Sequence, residues 1–155
     1  MIYVFDTSSL NALNAYYPDI FKEFWNRFNR MVSAGHMMST REVFREIGPL
    51  GREHTLAWAK NNKAVFTMPT AGETEFVAQI FAVPHFRQLI GAKQQLRGTP
   101  VADPFVIACA KANSGTVVTE EKGPANAARI PNVCAHFNVP CINLAGFMRA
   151  QRWSF

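Results

Sequence analysis

Several patterns that mark common enzyme and scaffold classes are missing from this sequence. Its three cysteines form no C-x-x-C pair and its four histidines form no H-x-x-x-H pair, which argues against a disulfide scaffold and against a zinc site. The nucleotide-binding patterns G-x-x-x-x-G-K-[ST] and G-x-G-x-x-G are missing, and so is the G-x-S-x-G turn of serine hydrolases. These absences exclude several familiar classes of cofactor-dependent and nucleophilic enzymes.

Long apolar segments are missing as well. No apolar run approaches the roughly 18–20 residues that span a bilayer, and the N-terminus lacks the basic and apolar regions of a secretory signal peptide. We therefore expect a cytoplasmic protein without a membrane partner. In that compartment Cys109, Cys134 and Cys141, which have apolar neighbours, are expected to be buried reduced thiols.

The composition is that of an ordinary globular protein with a basic surface. The chain has 155 residues, of which 48% are hydrophobic and 17% charged, so we expect one domain over residues 1–155. The net charge is +5 at pH 7. A positive balance suits a polyanionic partner such as a nucleic acid, although the basic residues are spread along the chain and also fit a plain solvated surface.

Short apolar runs alternate with segments of helical periodicity, which predicts a mostly parallel sheet with helices on both faces. Ser8 or Ser9 is expected to cap the first helix, and Pro18 is expected to begin the second. Strands are expected near residues 2–6, 36–40, 116–119 and 140–144, and residues 64–68 are expected to form a short strand or an extended connection. Helices are expected near residues 8–16, 18–34, 40–48, 51–62, 71–97 with a break at Pro84, 103–113, 130–138 and 145–153, and a turn at 98–100.

Acidic residues stand where several of these segments end or begin. Asp6 ends the first predicted strand, Glu120 and Glu121 follow the strand at 116–119, and Asp103 precedes Pro104 at the start of an apolar helix. Each has an ordinary structural role open to it: Asp6 can cap a helix, and Asp103 can be an N-cap with proline after it. Because ligands bind at the carboxyl ends of parallel strands, the same residues can also meet in one cleft.

Two glutamates on the helix after the second strand compete for a place in such a cleft. Glu42 and Glu46 lie four residues apart, and Val43, Phe44 and Ile47 define the buried face of that helix. Glu46 falls nearer this face than Glu42, so Glu46 is expected to reach the cleft and Glu42 to be more solvated. Surface ion pairing with neighbouring arginines remains the alternative for both residues.

The order of these acidic motifs resembles the PIN-domain ribonucleases, including the VapC-like toxins. By that resemblance the fold is a three-layer α/β/α sandwich, and Glu121 departs from the Asp that many members carry. The catalytic and metal-binding positions for Mg²⁺ or Mn²⁺ would be Asp6, Glu46, Asp103 and Glu121, supported by Ser8 and Thr119. The matching segments are DTSS (6–9), REVFREI (41–47), ADPFVIACAKA (102–112) and VVTEEK (117–122), and residues 130–149 are similar to the tail of an uncharacterised prokaryotic PIN-like family.

The resemblance implies a metal-dependent endoribonuclease, the toxin of a toxin–antitoxin pair, with RNA as substrate. It also implies a small antitoxin partner and a homodimer, for which the aromatic face of the helix at 18–34 is a candidate surface and also a candidate core. The alternative is a non-catalytic PIN-like module that binds RNA or protein. A haloacid-dehalogenase phosphatase is disfavoured because Ser8 stands where that class needs its second Asp.

Overall fold

Five short strands form one parallel sheet in the computed structural model, which describes residues 1–50, 53–90 and 101–155. The strand order is β3-β2-β1-β4-β5, and every neighbouring pair is parallel. The predicted α/β fold with a parallel central sheet flanked by helices is therefore confirmed. The strands are β1 (Tyr3–Phe5), β2 (Met37–Thr40), β3 (Phe66–Thr67), β4 (Thr116–Val118) and β5 (Cys141–Ile142).

Helices connect and flank these strands. The predicted turn at residues 98–100 and the end of the predicted helical stretch at 71–97 lie outside the described residues. The α-helices are α1 (Thr7–Ala12), α2 (Lys22–Ser33), α3 (Arg41–Leu50), α4 (His54–Asn61), α5 (Ala71–Ala82), α6 (Ala102–Ala112), α7 (Ile130–His136) and α8 (Leu144–Ala150). Single 3-10 segments lie at Leu13–Ala15, Lys63–Val65 and Pro84–Leu89.

The starts of the first two helices differ from the prediction. Asp6, rather than Ser8 or Ser9, is the N-cap of α1. The second helix begins at Lys22 and not at Pro18, because the backbone N–H groups of Ile20 and Phe21 both bond to the carbonyl of Tyr17 and close a turn. Ile20 lies in this turn, outside the helix, and is 68% exposed.

The core on one face of the sheet is built from aromatic rings. Phe5 of β1, Phe28 of α2 and Phe147 of α8 are fully buried and meet edge to face, with centroids 5.1–6.5 Å apart. Val4 points to the opposite face of the strand and is also fully buried. Because both faces of β1 are covered, each of its positions is apolar, and polar and apolar residues do not alternate along the strand.

The strand order places β1 at a topological switch point. The chain moves from β1 to β2 and β3 on one side, and β4 and β5 lie on the other side. A crevice therefore opens at the carboxyl end of β1, where α/β sheets commonly bind ligands. None of the helices within the described ranges has the length and hydrophobicity that crossing a bilayer requires.

Candidate active site

A cavity of about 480 Å³ opens at the carboxyl end of β1. Four acidic side chains from four separate segments line it: one follows β1, one lies on α3, one lies in the first turn of α6, and one follows β4. Parallel strands bring these segments to the same edge of the sheet. The residues are Asp6, Glu46, Asp103 and Glu121, the same four that the sequence nominated.

Asp6 is held by hydrogen bonds that fix its carboxylate. Its Oδ1 accepts the backbone N–H of Ser9 at 2.7 Å, which makes Asp6 the cap of α1. Its Oδ2 accepts the hydroxyl of Thr119 at 2.5 Å, and the Ser8 hydroxyl donates to the same carboxylate at 2.8–2.9 Å. Burial raises the pKa of Asp6, and these hydrogen bonds oppose that rise because they stabilise the ionised form. The two supporting hydroxyls nominated from the sequence thus contact Asp6 directly.

Glu46 joins three helices at the cavity wall. Its Oε2 accepts the hydroxyl of Thr7 in the first turn of α1 at 2.5 Å. Its Oε1 accepts the backbone N–H of Ala102 at 3.0 Å, which satisfies an otherwise unpaired donor at the start of α6. A carboxylate at a helix N-terminus is also favoured by the helix dipole.

Asp103 does not take the N-cap role that the sequence left open to it. The cap residue of α6 is Val101, and Asp103 lies inside the first turn, where Pro104 follows it. Glu46 supplies from another helix the side-chain acceptor that a capping Asp would have provided. Asp103 is therefore not needed as a cap, and its carboxylate faces the cavity instead.

The surroundings of Asp103 disfavour its ionised form. Burial first, and then repulsion from Glu121, Glu46 and Asp6, raises the pKa of its carboxyl group to about 8. The guanidinium of Arg129 acts in the opposite direction. Repulsion among the four carboxylates thus adds to the cost of ionising Asp103. A positive charge brought into the cavity would lower that cost.

The two glutamates after β4 have separate environments. Glu121 lines the cavity, and its Oε2 accepts the N–H of Ile130 at 3.0 Å; burial raises its pKa. Glu120 turns away, and its Oε1 accepts the N–H of Leu144 at the start of α8 at 2.6 Å. Glu120 therefore stabilises the start of α8, whereas Glu121 is the member of the pair that faces the acidic cavity.

The expected solvation of Glu42 is wrong. Glu42 is only 1% exposed, and its Oε1 lies 3.2 Å from the guanidinium of Arg41, while its Oε2 is buried without a hydrogen-bond partner. α3 begins directly after the buried strand β2, and Thr40, Glu42 and Val43 at this junction are all buried. Glu42 does not line the acidic cavity, and Glu46 does.

Some cavity residues were not nominated from the sequence. Thr7, which orients Glu46, lies in the matching segment DTSS (6–9) but was not itself nominated. Arg129 lines the cavity immediately before α7. Its position after the glycine- and proline-containing loop that follows the matching segment VVTEEK (117–122) could have drawn attention to it. Asn11 and Gln88 also line the wall, but their spacing carries no motif.

The donor chemistry of the cavity fits a hard divalent cation. Carboxylate and hydroxyl oxygens are the ligands that Mg²⁺ and Mn²⁺ prefer. Within the described parts of the chain, no three His, Cys, Asp or Glu side chains stand close enough together to hold an ion directly. Mg²⁺ usually keeps several waters and takes one or two protein carboxylates, which a cavity of this size accommodates. The roles of the four acids as ligands stay a prediction.

Residues 3–155 match the family described as Domain of unknown function (DUF4411). Because this match spans nearly the whole sequence, the chain belongs to that family. A comparison with curated proteins gave no match.

Solved structures of similar fold include two proteins of low sequence identity. A Pyrobaculum aerophilum protein, PAE2754, is 16% identical, with a TM-score of 0.49 and coverage of 97% of this chain and 96% of that one. VapBC2 from Rickettsia felis, bound to a DNA fragment from its promoter, is 13% identical, with a TM-score of 0.49 and coverage of 92% and 98%. At this distance the likeness concerns architecture only.

Proposed function

We propose that this member of the DUF4411 family is a metal-dependent endoribonuclease that hydrolyses RNA phosphodiester bonds. The observation that carries the proposal is the gathering of four carboxylates into one cavity of a protein whose net charge is +5. A structural role would not require four acids from distant segments to repel one another. A cleft that binds a cation, within a surface that attracts a polyanion, accounts for both features.

The residues of the chain would have distinct tasks in this reaction. Asp6 is oriented by Ser8, Ser9 and Thr119 before any substrate arrives, which removes the need to reorganise it during the reaction. Glu46 is fixed in the same manner by Thr7 and by the start of α6. Both carboxylates would therefore hold a cation in a preset position.

Asp103 and Glu121 complete the cavity with carboxylates whose ionisation is disfavoured in the free protein. Asp103 can hold a proton near neutral pH and release it when positive charge enters the cavity. A bound Mg²⁺ or Mn²⁺ would lower the pKa of a water molecule and offset the charge that develops on the phosphate.

The proposal is tested by incubating a mixed RNA pool with the purified protein in Mn²⁺, in Mg²⁺ or in EDTA. Cleavage should occur with the metals and stop in EDTA. Asp6→Asn should abolish cleavage while retaining the fold, because an Asn oxygen can still cap α1. Asp19→Asn makes the same chemical change on the exposed surface and serves as the matched control. Full activity of Asp6→Asn, or of the wild type in EDTA, would contradict the proposal.

We further propose that the nuclease is the toxin of a toxin–antitoxin pair, on the ground of the motif order described above. Induced expression in a bacterial host should arrest growth, and the Asp6→Asn variant should not. Retained RNA binding without cleavage by the wild type, together with normal growth, would instead favour a non-catalytic binding module.

A further inference from the structure

Arg129 is the one cationic side chain among the described residues that line the acidic cavity. It caps the start of α7 through its backbone conformation, and its side chain is exposed. Asp103 and Glu121 line the same cavity as Arg129, and the positive charge of Arg129 opposes the rise in the pKa of both carboxyl groups that burial causes. The side chain therefore reaches over the cavity from the α7 side.

Within the described portion of the molecule, Arg129 forms no salt bridge. The ion pairs found there join Arg27 to Glu23 and Arg41 to Glu42. Arg129 thus shares the cavity with the four carboxylates without forming an ion pair with any one of them. A guanidinium that is not held in an ion pair keeps its planar set of N–H donors available to bind another anion.

Gly123 determines the path that the Arg129 side chain takes. A Cβ atom placed on Gly123 would lie 2.8 Å from Cδ and 3.4 Å from Nε of Arg129, and 3.2 Å from Cβ of Ala127. The first of these distances is shorter than real contacts allow, so any larger residue at position 123 would displace the arginine. Glycine lets the side chain lie directly on the loop backbone.

We propose that Arg129 binds the phosphate group of the phosphodiester that enters the acidic cavity, and that Gly123 keeps the arginine in position to do so. The inference rests on the proposed nuclease function. A phosphodiester is repelled by four carboxylates, and a guanidinium at the cavity wall offsets that repulsion with charge-assisted hydrogen bonds to phosphate oxygens. Arginine suits this task better than lysine because its planar guanidinium can donate hydrogen bonds to two phosphate oxygens at once.

Cleavage kinetics of a fluorescent RNA oligonucleotide in Mn²⁺ test the proposal. Arg129→Met should lower kcat/KM roughly 10- to 100-fold, the usual range for a lost hydrogen bond to a charged group, mainly through a higher KM. Arg129→Lys should recover part of the loss because it keeps the charge. Arg149→Met, at an exposed position that does not line the cavity, is the matched control and should behave as wild type.

Gly123→Ala tests the positioning role without removing any charge. We expect it to lower kcat/KM by less than Arg129→Met does, and to have no additional effect when combined with Arg129→Met, because both changes remove the same contact. Thermal melting of each variant checks the fold. Equal losses for Arg129→Met and Arg149→Met, or fully additive losses in the double variant, would overturn the proposal.

Binding measured without metal separates this inference from the nuclease proposal. Fluorescence anisotropy of RNA and DNA oligonucleotides of one sequence, in EDTA over a range of salt, should show that Arg129→Met reduces the salt slope by about one. The loss should be equal for RNA and DNA, because a phosphate contact does not read the sugar. If the wild type binds but does not cleave, the nuclease proposal fails and the arginine role stands. A loss confined to RNA, or no binding by the wild type, contradicts the role given to Arg129.

Discussion

Asp103→Asn should stabilise the metal-free protein, and the gain should grow with pH. The pKa of Asp103 is raised to about 8 from its ordinary value of 3.8, by burial first and by the neighbouring carboxylates second. Between these two values the folded protein keeps a proton that the unfolded chain releases. The unfolded state therefore binds fewer protons, and the free energy of unfolding falls as pH rises through this window.

The size of the effect follows from the shift. Each pKa unit corresponds to about 1.4 kcal/mol, so the penalty at pH 8 has an upper limit of about 6 kcal/mol. Water that enters the open cavity reduces this penalty, and we expect Asp103→Asn to raise the free energy of unfolding at pH 8 by about 2 kcal/mol or more. Asparagine carries no charge at any pH and resembles the protonated acid in shape. At about 2–4 °C per kcal/mol for a chain of this length, Tm should rise by at least about 4 °C at pH 8 and scarcely change at pH 4.

The assay is thermal unfolding in EDTA at pH 4, 6 and 8 for the wild type, Asp103→Asn and the exposed control Asp19→Asn. Addition of Mn²⁺ at pH 8 should then stabilise the wild type more than Asp103→Asn, because the wild type gains a ligand for the ion. The reasoning is refuted if the gain at pH 8 is no larger than the gain at pH 4, or if Asp19→Asn produces the same gain.

Three other changes should give distinct results. Glu121→Gln should abolish cleavage with little loss of stability, whereas Glu120→Ala, which removes the acceptor for the Leu144 N–H, should keep cleavage and weaken the start of α8; paired activity and melting measurements detect this contrast. Phe28→Ala should cost about 3–5 kcal/mol in urea unfolding because it opens the aromatic core; a cost below 1 kcal/mol would mean that the core closes over the gap. Light scattering should detect a dimer if Phe21, which is 36% exposed, belongs to an interface; a monomer unaffected by Phe21→Ser would remove that prediction.

The sequence by itself determined the sheet and the residues that follow its strands. Residues 3–5 and 116–118 are apolar runs too short for helices, and their burial on both faces follows from that composition. Because the strands are parallel, the positions directly after them had to meet at one edge. Asp6 and the pair Glu120 and Glu121 could therefore be placed at this edge from local pattern, whereas the choice of Glu121 came from the family resemblance. Both Asp6 and Glu121 line the cavity.

Only the tertiary structure decided which residues perform the remaining tasks. A helical wheel could not show that Glu42 is enclosed at the start of α3, since that depends on what covers the helix. By the N-cap rule Asp103 could have capped its own helix, but Glu46 from α3 provides the acceptor, and Asp103 faces the cavity. Arg129 lines the cavity, and its side chain passes close to Gly123 in the loop before α7. Local pattern reflects backbone preferences of neighbouring residues, whereas these assignments depend on contacts between residues distant in sequence, which only the folded chain creates.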